Sequence, residues 1–242
     1  MAIAGDNTPG AHSDRQPDVL PGLLRGYRFT VCESPAAAGR ALAVRREVYV
    51  SGLGYDVPVP DTYDFRSWLL TADDTESGCT VGTLRITPRF AGPLELEEHV
   101  ALPLTLRSPG SYEINRFAIL PAYRKGKTFL PVVSLGLFKL ARDVLSRLGA
   151  HRVIIASKPE RVWTYRWLTF ETTGLSGPYE SLDGAEHEVL VYDFRTEARR
   201  YGDHPFRAFF LDRGEGEVVV PGRMPPLDLV PDEAPLRVAV GA

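Results

Sequence analysis

The chain has 242 residues, of which 44% are hydrophobic and 24% charged, and its formal net charge is -3. This composition is typical of a soluble globular protein and gives no support to a general nucleic-acid binder. Without an apolar run near the roughly 20 residues of a membrane span, or a charged-then-apolar leader, we expect a cytoplasmic protein with no membrane span.

The first quarter of the chain predicts a loose segment, a strand and a helix. Residues 1–24 are polar and rich in Gly, Pro and Asp, so we expect them to be disordered. A strand is predicted over 27–31 and a helix from 35 to about 50. A loop rich in Gly, Pro and Asp follows over 51–62.

Two apolar runs then predict a hairpin. Its strands cover 68–72 and 79–87, and its turn is the polar stretch 73–78. Residues 89–110 form a long connection with a short helical piece near 95–100. Connections of this length often cover a functional site.

The central segment carries the strongest pattern. It predicts a strand, a basic loop, a helix, a strand and a second helix, over 112–120, 121–128, 130–148, 152–156 and up to 170. Backbone N–H groups at the start of the first helix, with the helix dipole and the basic side chains before it, form a site for phosphate. The residues that we assign to this site are Arg124, Lys125, Gly126, Lys127 and Thr128.

The last part of the chain predicts a second hairpin. Tyr179 and Glu180 pair with 188–194, across a connection that contains Asp183 and Gly184. A short helix near 196–200 follows, and the rest is rich in proline. This order of elements predicts an α/β fold with a mixed sheet.

Charge is unevenly distributed along the chain. Between Tyr123 and Arg166, ten basic residues stand against two acidic ones, a local +8 that leaves -11 elsewhere. Such a basic face indicates one anionic partner, although a solvated face without a partner is as compatible with the charge alone. The histidines and the two cysteines lack metal-ligand spacing, so we predict no metal site and two buried thiols.

A helix end near residue 170 points to a known fold. Tyr165 is followed at four and five residues by Thr169 and Phe170, after the strand, basic loop and helix described above. From Tyr27 to Phe194 the chain thereby resembles the Gcn5-related N-acetyltransferase superfamily, whose helix end reads Tyr-x-x-x-Gly-Phe. The resemblance implies an α/β (α+β) acyl-CoA N-acyltransferase fold, with a mixed central sheet and helices on both faces. It also implies an N-acyltransferase domain over 25–195 and a C-terminal extension over 196–242.

A narrower resemblance rests on six polar positions in order. They match Arg-x-x-x-Phe, Asp-x-x-Asp, Gly-x-x-Arg and Glu-x-x-Arg, and they are Arg45, Asp61, Asp64, Arg85, Glu113 and Arg116. In this respect the chain is similar to acyl-homoserine-lactone synthases and long-chain N-acyl amino acid synthases, which take acyl groups from acyl carrier protein. Tyr49 and Tyr55 stand where those proteins have Phe and Trp.

The resemblance implies roles in acyl transfer from a thioester to an amine. Glu113 and Tyr165 are the candidate base and acid; alternatively Glu113 only pairs with Arg116 or Arg85, and Tyr165 only faces water. Arg116 and Arg85 complete the candidate catalytic set. Acceptor binding is assigned to a charge network of Arg45, Asp61 and Asp64, for which a plain surface cluster is the alternative.

The donor site is implied in the same way. Backbone N–H groups of Phe117, Ala118 and Ile119 would hold the pantetheine arm and the thioester oxygen, with no tightly bound cofactor. The donor is acyl-phosphopantetheine on an acyl carrier protein, or acyl-CoA. Aromatic residues either line an acyl tunnel or pack in the core, and they are Trp68, Phe117, Phe129 and Phe138.

The function expected from the sequence is transfer of a fatty acyl group to a primary amine. The acceptor would be an amino acid, a homoserine derivative or the amine of a peptide. Two alternatives remain: an acetyl-CoA-dependent N-acetyltransferase, and a catalytically inactive acyl-binding sensor. The sequence leaves open the acyl chain length, the acceptor and the oligomeric state.

Overall fold

The computed structural model describes residues 22–124, 130–179, 182–212 and 216–231. The strands are β1 (Tyr27–Val31), β2 (Trp68–Asp74), β3 (Thr80–Pro88), β4 (Ser111–Ile119), β5 (Arg152–Ser157), β6 (Glu171–Tyr179), β7 (Ala185–Asp193) and β8 (Val218–Val219). The α-helices are α1 (Pro35–Arg45), α2 (Val132–Arg147), α3 (Val162–Trp167), α4 (Glu197–Tyr201) and α5 (Arg207–Leu211). A π-helical turn over Arg46–Gly52 continues α1, and a 3-10 turn covers Glu95–Glu98.

All eight strands form one mixed sheet in the order β6-β7-β5-β4-β3-β2-β1-β8. The β4–β5 and β1–β8 pairs are parallel, and the other neighbours are antiparallel. The mixed sheet predicted from the sequence is therefore confirmed. Strand β6 is much longer than predicted. Its first half is exposed, polar and contains a glycine, so no apolar pattern in the sequence indicated a strand there.

Helices cover both faces of the sheet, as predicted. Successive side chains of a strand point to opposite faces. Leu69 accordingly packs with Leu42 of α1, whereas Leu70 packs in the large cluster that contains Leu137 of α2. The core is thus split by the sheet into an α1 layer and an α2 layer.

Helix α2 lies unusually close to the sheet. A Cβ atom on Gly136 would stand 2.1 Å from Cζ of Phe29, and one on Gly82 would stand 2.7 Å from Cγ1 of Val133. Glycine at both positions lets helix and strands approach. Gly149, with φ +66°, ends the helix as the sequence predicted.

Both ends of the described chain pack on the sheet. Leu24 is fully buried, so the predicted loose segment ends before it. At the other end, β8 pairs with β1 and Nε1 of Trp68 donates to Pro225 O at 2.9 Å. The domain boundaries at 25–195 and 196–242 stay a prediction.

Two remaining predictions concern cysteines and membranes. Cys32 is buried as predicted, but Cys79 is exposed because it lies beside the polar turn between β2 and β3. Within the described ranges, no helix combines the length and the apolar character that crossing a bilayer requires.

Candidate active site

A cleft opens where two parallel strands separate. β4 and β5 pair only from Ser111–Glu113 to Arg152–Ile154, and beyond that they diverge. A bulge bends β4 at this point, where Arg116 has φ +52°. The resulting cleft has a volume of about 660 Å³, a size usual for small-molecule sites.

The open edge of β4 presents backbone groups to this cleft. Phe117 O accepts a 2.8 Å hydrogen bond from the Tyr49 hydroxyl, and Ile119 O accepts one of 2.8 Å from Arg124 Nε. The N–H and C=O of one strand residue point the same way, so the N–H groups of Phe117 and Ile119 also face the cleft. The same alternation points the Ala118 N–H toward β3. It therefore does not face the cleft, where the sequence analysis assigned it to the pantetheine arm.

The basic loop is described only in part. Arg124 is exposed on the cleft wall, which the half-buried Pro131 and the buried Ser134 at the start of α2 also line. Among the described residues no side chain caps this helix start, and the first N–H groups of a helix are the ones that can bind an anion. The other residues assigned to the phosphate site lie outside the described residues, and they are Lys125, Gly126, Lys127 and Thr128.

Among the described residues, not all basic side chains of the central segment contribute unpaired charge to the basic face predicted from the sequence. Arg142 pairs with Glu197 at 2.6 Å, and Arg152 lies 3.5 Å from Asp193. The charge of these two arginines is therefore offset by acidic residues that follow the central segment. Arg161, by contrast, is exposed on the cleft wall.

The predicted charge network exists, and it is buried. Arg45 pairs with Asp61 at 3.2 Å and with Asp64 at 2.5 Å, and Arg85 pairs with both aspartates. All four side chains are at most 6% exposed, so the alternative of a surface cluster is wrong. None of the four lies on the cleft wall. The structure therefore does not place Arg85 in a catalytic position, nor Arg45, Asp61 and Asp64 where they could bind an acceptor, as the sequence predicted.

Arg116 links this network to the cleft. Its Nε lies 3.1 Å from Asp61, and its Nη2 donates to Glu95, which also binds Arg85. Burial would raise the pKa of Asp61, but Arg85, Arg45 and Arg116 hold it at about 2. Sequence reasoning missed Glu95, whose only signal was its place in the long connection over 89–110.

Glu113 lies behind the cleft. Its carboxylate accepts from Leu96 N at 3.3 Å and from Asn115 Nδ2 at 3.0 Å, and it is completely buried. Burial and the nearby Glu95 raise its pKa to about 7, against the lowering effect of Arg85. Among the described residues, Glu113 does not line the cleft and forms no ion pair with an arginine. The structure therefore shows it neither in direct contact with a substrate, as a base would be, nor paired with Arg116 or Arg85.

Tyr165 on α3 does line the cleft. Its ring meets Phe138 and Phe170 edge-on, each at 5.9 Å between centroids. Burial raises the pKa of its phenol to about 12, so the hydroxyl stays protonated at neutral pH. Thr169 adopts φ +67°, the left-handed conformation that a glycine favours at the corresponding position of the resembled motif.

Two of the four aromatic residues considered for a tunnel line the cleft. Phe117 and Phe138 stack there with centroids 5.2 Å apart. Trp68 does not line the cleft; its Nε1 donates a hydrogen bond to Pro225 O. Phe129 lies outside the described residues.

The hairpin of β6 and β7 contributes further groups to the cleft wall that the sequence did not reveal. Tyr179 and His187 lie there, with Nδ1 of His187 2.8 Å from Ala185 O. Near the hairpin connection, Lys158 Nζ lies 2.8 Å from Asp183 Oδ2 and 3.4 Å from Tyr55 Oη. These residues come from distant parts of the chain, so no sequence spacing could have grouped them.

This architecture was compared with those of known proteins. No protein-family model and no curated protein sequence matches the chain. Among solved structures, FeeM, an N-acyl amino acid synthase from uncultured soil microbes, superposes with a TM-score of 0.62 at 18% identity, covering 76% of this chain and 98% of that one.

Two further structures share the arrangement. BjaI, a CoA-dependent acyl-homoserine lactone synthase with SAM and isopentyl-CoA, has a TM-score of 0.55 at 16% identity over 74% of this chain and 89% of its own. TofI, in a ternary complex with an inhibitor and MTA, has a TM-score of 0.53 at 23% identity over 69% and 91%. At these identities the likeness is one of fold, and it confirms the acyl-CoA N-acyltransferase fold expected from the sequence.

Proposed function

We propose that this protein is an N-acyltransferase that moves a fatty acyl group from a phosphopantetheine thioester to a primary amine. The observation that carries the proposal is the cleft between β4 and β5. It combines an open strand edge for an extended pantetheine arm with the Tyr165 hydroxyl as a proton donor. FeeM, an N-acyl amino acid synthase, and BjaI, a CoA-dependent acyl-homoserine lactone synthase, share this fold and support it.

The chemistry follows from the groups on the cleft wall. An N–H of Phe117 or Ile119 binds the thioester oxygen and stabilises the negative charge that develops on it. The amine nitrogen attacks the carbonyl carbon, a C–N bond forms and the C–S bond breaks. Tyr165 donates its proton to the departing thiolate, and the nitrogen of the new amide returns a proton to the Tyr165 phenolate.

The buried network positions these groups. Asp61, held by Arg45 and Arg85, fixes Arg116 on the cleft wall. Glu113 acts in the same way through Asn115, whose amide also binds Glu95. In this proposal Arg116 is the network residue that meets a substrate, and the others hold it in place.

An acyl carrier protein is the proposed donor. Arg161 and Arg166 are exposed on and just before α3, and Trp163 between them is 49% exposed. An exposed aromatic flanked by arginines suits an acidic protein partner. Arg124 lines the same cleft, and in this proposal it meets the phosphate of the prosthetic arm.

A donor screen tests the activity. The protein is incubated with amines and with fatty acyl carrier protein, fatty acyl-CoA or acetyl-CoA, and products are identified by mass spectrometry. We expect fatty amides. Turnover with acetyl-CoA alone would assign an acetyltransferase, and no turnover with any donor would favour a binding protein.

The role of Tyr165 is tested in the same assay. Tyr165→Phe should lower kcat by about 100-fold, since general acid catalysis typically contributes that much or more. Tyr112→Phe, which removes a hydroxyl that is not on the cleft wall, is the control. Equal rates in the two variants would remove Tyr165 from the mechanism.

Carrier-protein docking is tested by charge reversal. Arg166→Glu should raise KM for acyl carrier protein about fivefold, equivalent to about 1 kcal/mol, and leave KM for acyl-pantetheine unchanged. The matched control is Arg199→Glu, which changes another exposed arginine, on α4. A similar effect with both donors would exclude docking at α3.

A further inference from the structure

Three polar groups of the cleft wall keep unused hydrogen-bonding capacity. The Tyr179 hydroxyl is buried and has no hydrogen-bond partner in the part of the chain that the structure describes. Arg116 uses Nε and Nη2, and its Nη1 donates to no described residue. His187 uses Nδ1, and its Nε2 has no partner among the described residues. A buried hydroxyl without a hydrogen bond is destabilising, and a ligand that bonds to it would recover that free energy.

Packing brings these groups to one part of the cleft. Leu94 and Leu96, on either side of Glu95, share a buried cluster with Tyr179. Glu95 in turn binds Arg116. The Tyr179 ring lies 4.6 Å from that of His187, so the connection before β4 and the hairpin of β6 and β7 meet here.

The chemistry of the three groups defines a ligand. Arg116 Nη1 and the Tyr179 hydroxyl are donors, suited to a carboxylate. With Nδ1–H donated to Ala185 O, Nε2 of His187 is an acceptor, suited to an ammonium group. A molecule that offers both charges within a few ångströms is an α-amino acid.

We infer that Arg116, Tyr179 and His187 bind an α-amino acid as the acyl acceptor, and that Nε2 of His187 takes the proton from its ammonium group. This inference rests on the proposed function and deepens it. It also moves the acceptor from the Arg45, Asp61 and Asp64 positions, which the structure buries, to the facing hairpin.

The proton balance is complete. His187 takes one proton from the ammonium, leaving an amine whose lone pair attacks the thioester carbon. As the C–N bond forms and the C–S bond breaks, the thiolate takes the Tyr165 proton. The nitrogen then loses its second proton to the Tyr165 phenolate, and His187 releases its proton to solvent. One amide, one thiol and one proton result.

The surroundings of His187 suit a base. Burial lowers the pKa of its imidazole, as does Lys158, against the raising effects of Ala185 O, Asp183 and Glu160. The facing Tyr179 phenol stays neutral, since burial and the nearby carboxylates raise its pKa. The imidazole is therefore neutral at pH 7.

Two histidines flank the Tyr179 ring and supply a matched test. His99 stacks on it at 3.9 Å but does not line the cleft. With an acyl-CoA or acyl carrier donor and L-α-amino acids, His187→Gln should lower kcat/KM about 100-fold at pH 7, and His99→Gln should stay within about threefold. The wild-type rate should fall on the acid side with a midpoint below the usual histidine value of about 6.5, and His187→Gln should lose this fall.

The alternatives give different results. A rate in His187→Gln equal to that of wild type, or an acid-side midpoint near 7 in both proteins, would overturn the inference and favour Glu113 as the base. Complete lack of transfer by the wild type would instead reject the proposed function, and this inference with it.

The amino-acid specificity is tested with a second variant. Tyr179→Phe should raise KM for α-amino acids about tenfold, equivalent to about 1.4 kcal/mol, with little change for the matching amino acid amides. Equal KM values for acids and amides in the wild type would show that no carboxylate is recognised.

Discussion

Glu113 is a buried carboxyl whose environment opposes its ionisation. It lies between Leu96 N–H and the Asn115 amide, and burial raises its pKa to about 7 in the folded protein. In the unfolded chain a glutamate ionises near pH 4.3. The stability that this group contributes is therefore complete below that value and is lost as pH rises through about 7. Asp61 behaves oppositely, since its pKa is held at about 2 and its contribution is lost in acid.

Replacing this carboxyl should change the pH dependence of folding. Between about pH 5 and pH 8, the free energy of unfolding of the wild type should fall relative to that of Glu113→Gln, by up to about 1.4 kcal/mol per pH unit in the range between the pKa values of the unfolded and folded states. Urea unfolding of both proteins at pH 5 and at pH 8 measures this difference. The exposed Glu186→Gln is the control. Parallel pH profiles of wild type and Glu113→Gln would contradict the raised pKa.

Among the elements, α2 shows how packing positions the cleft. Gly136 and Gly82 bring the helix close to β1 and β3, and Pro131 and Ser134 at its start then lie on the cleft wall. The helix depends on this contact, because glycine in a helix interior is about 1 kcal/mol less favourable than alanine.

The substitution Gly136→Ala should therefore raise the helix propensity of α2 but worsen its packing against the sheet. The added methyl would collide with the buried Phe29 ring, and overpacking of this kind typically costs 1–3 kcal/mol, more than the propensity gain. We expect a net loss of about 1 kcal/mol in urea unfolding. Gly222→Ala, with no heavy atom within 4 Å of the new Cβ, should be near neutral. A Gly136→Ala protein as stable as wild type would show that Phe29 can move.

At the scale of the whole molecule, the segment over 216–231 fastens the outer edge of the sheet. Phe29 N donates to Glu217 O at 2.8 Å, and Arg147 Nη1 donates to Pro221 O at 2.7 Å. Val230 then packs in the α1 layer with Leu42. The segment thus contacts both layers and covers the β1 edge, which would otherwise be open to pairing with another chain.

Truncation measures this contribution. A chain ending at residue 212 should unfold at least about 3 kcal/mol more easily than one ending at residue 231, from the loss of several hydrogen bonds and the burial of Val230. Both are compared with the full chain by urea unfolding. Equal stability of the two truncated chains would mean that the segment is only an appendage.

The elements whose signals are local could be predicted from the sequence. β1, β3 and α2 carry apolar periodicity or turn residues within a few positions of each other, and their observed bounds lie within two residues of the prediction. β6 lacked such a signal because its first half is exposed and held by pairing with β7. Pairing with a distant strand leaves little trace in a local pattern.

By itself, the sequence predicted the fold and most members of the charge network, because the positions of Arg45, Asp61 and Arg85 in their segments resemble the motifs of a known family. Only the tertiary structure decided that these side chains are buried, and that Glu95, Tyr179 and His187 lie on the cleft wall instead. The physical reason is the separation of β4 from β5. Which side chains face the gap depends on a bulge, a connection and a hairpin that meet only when the sheet is assembled.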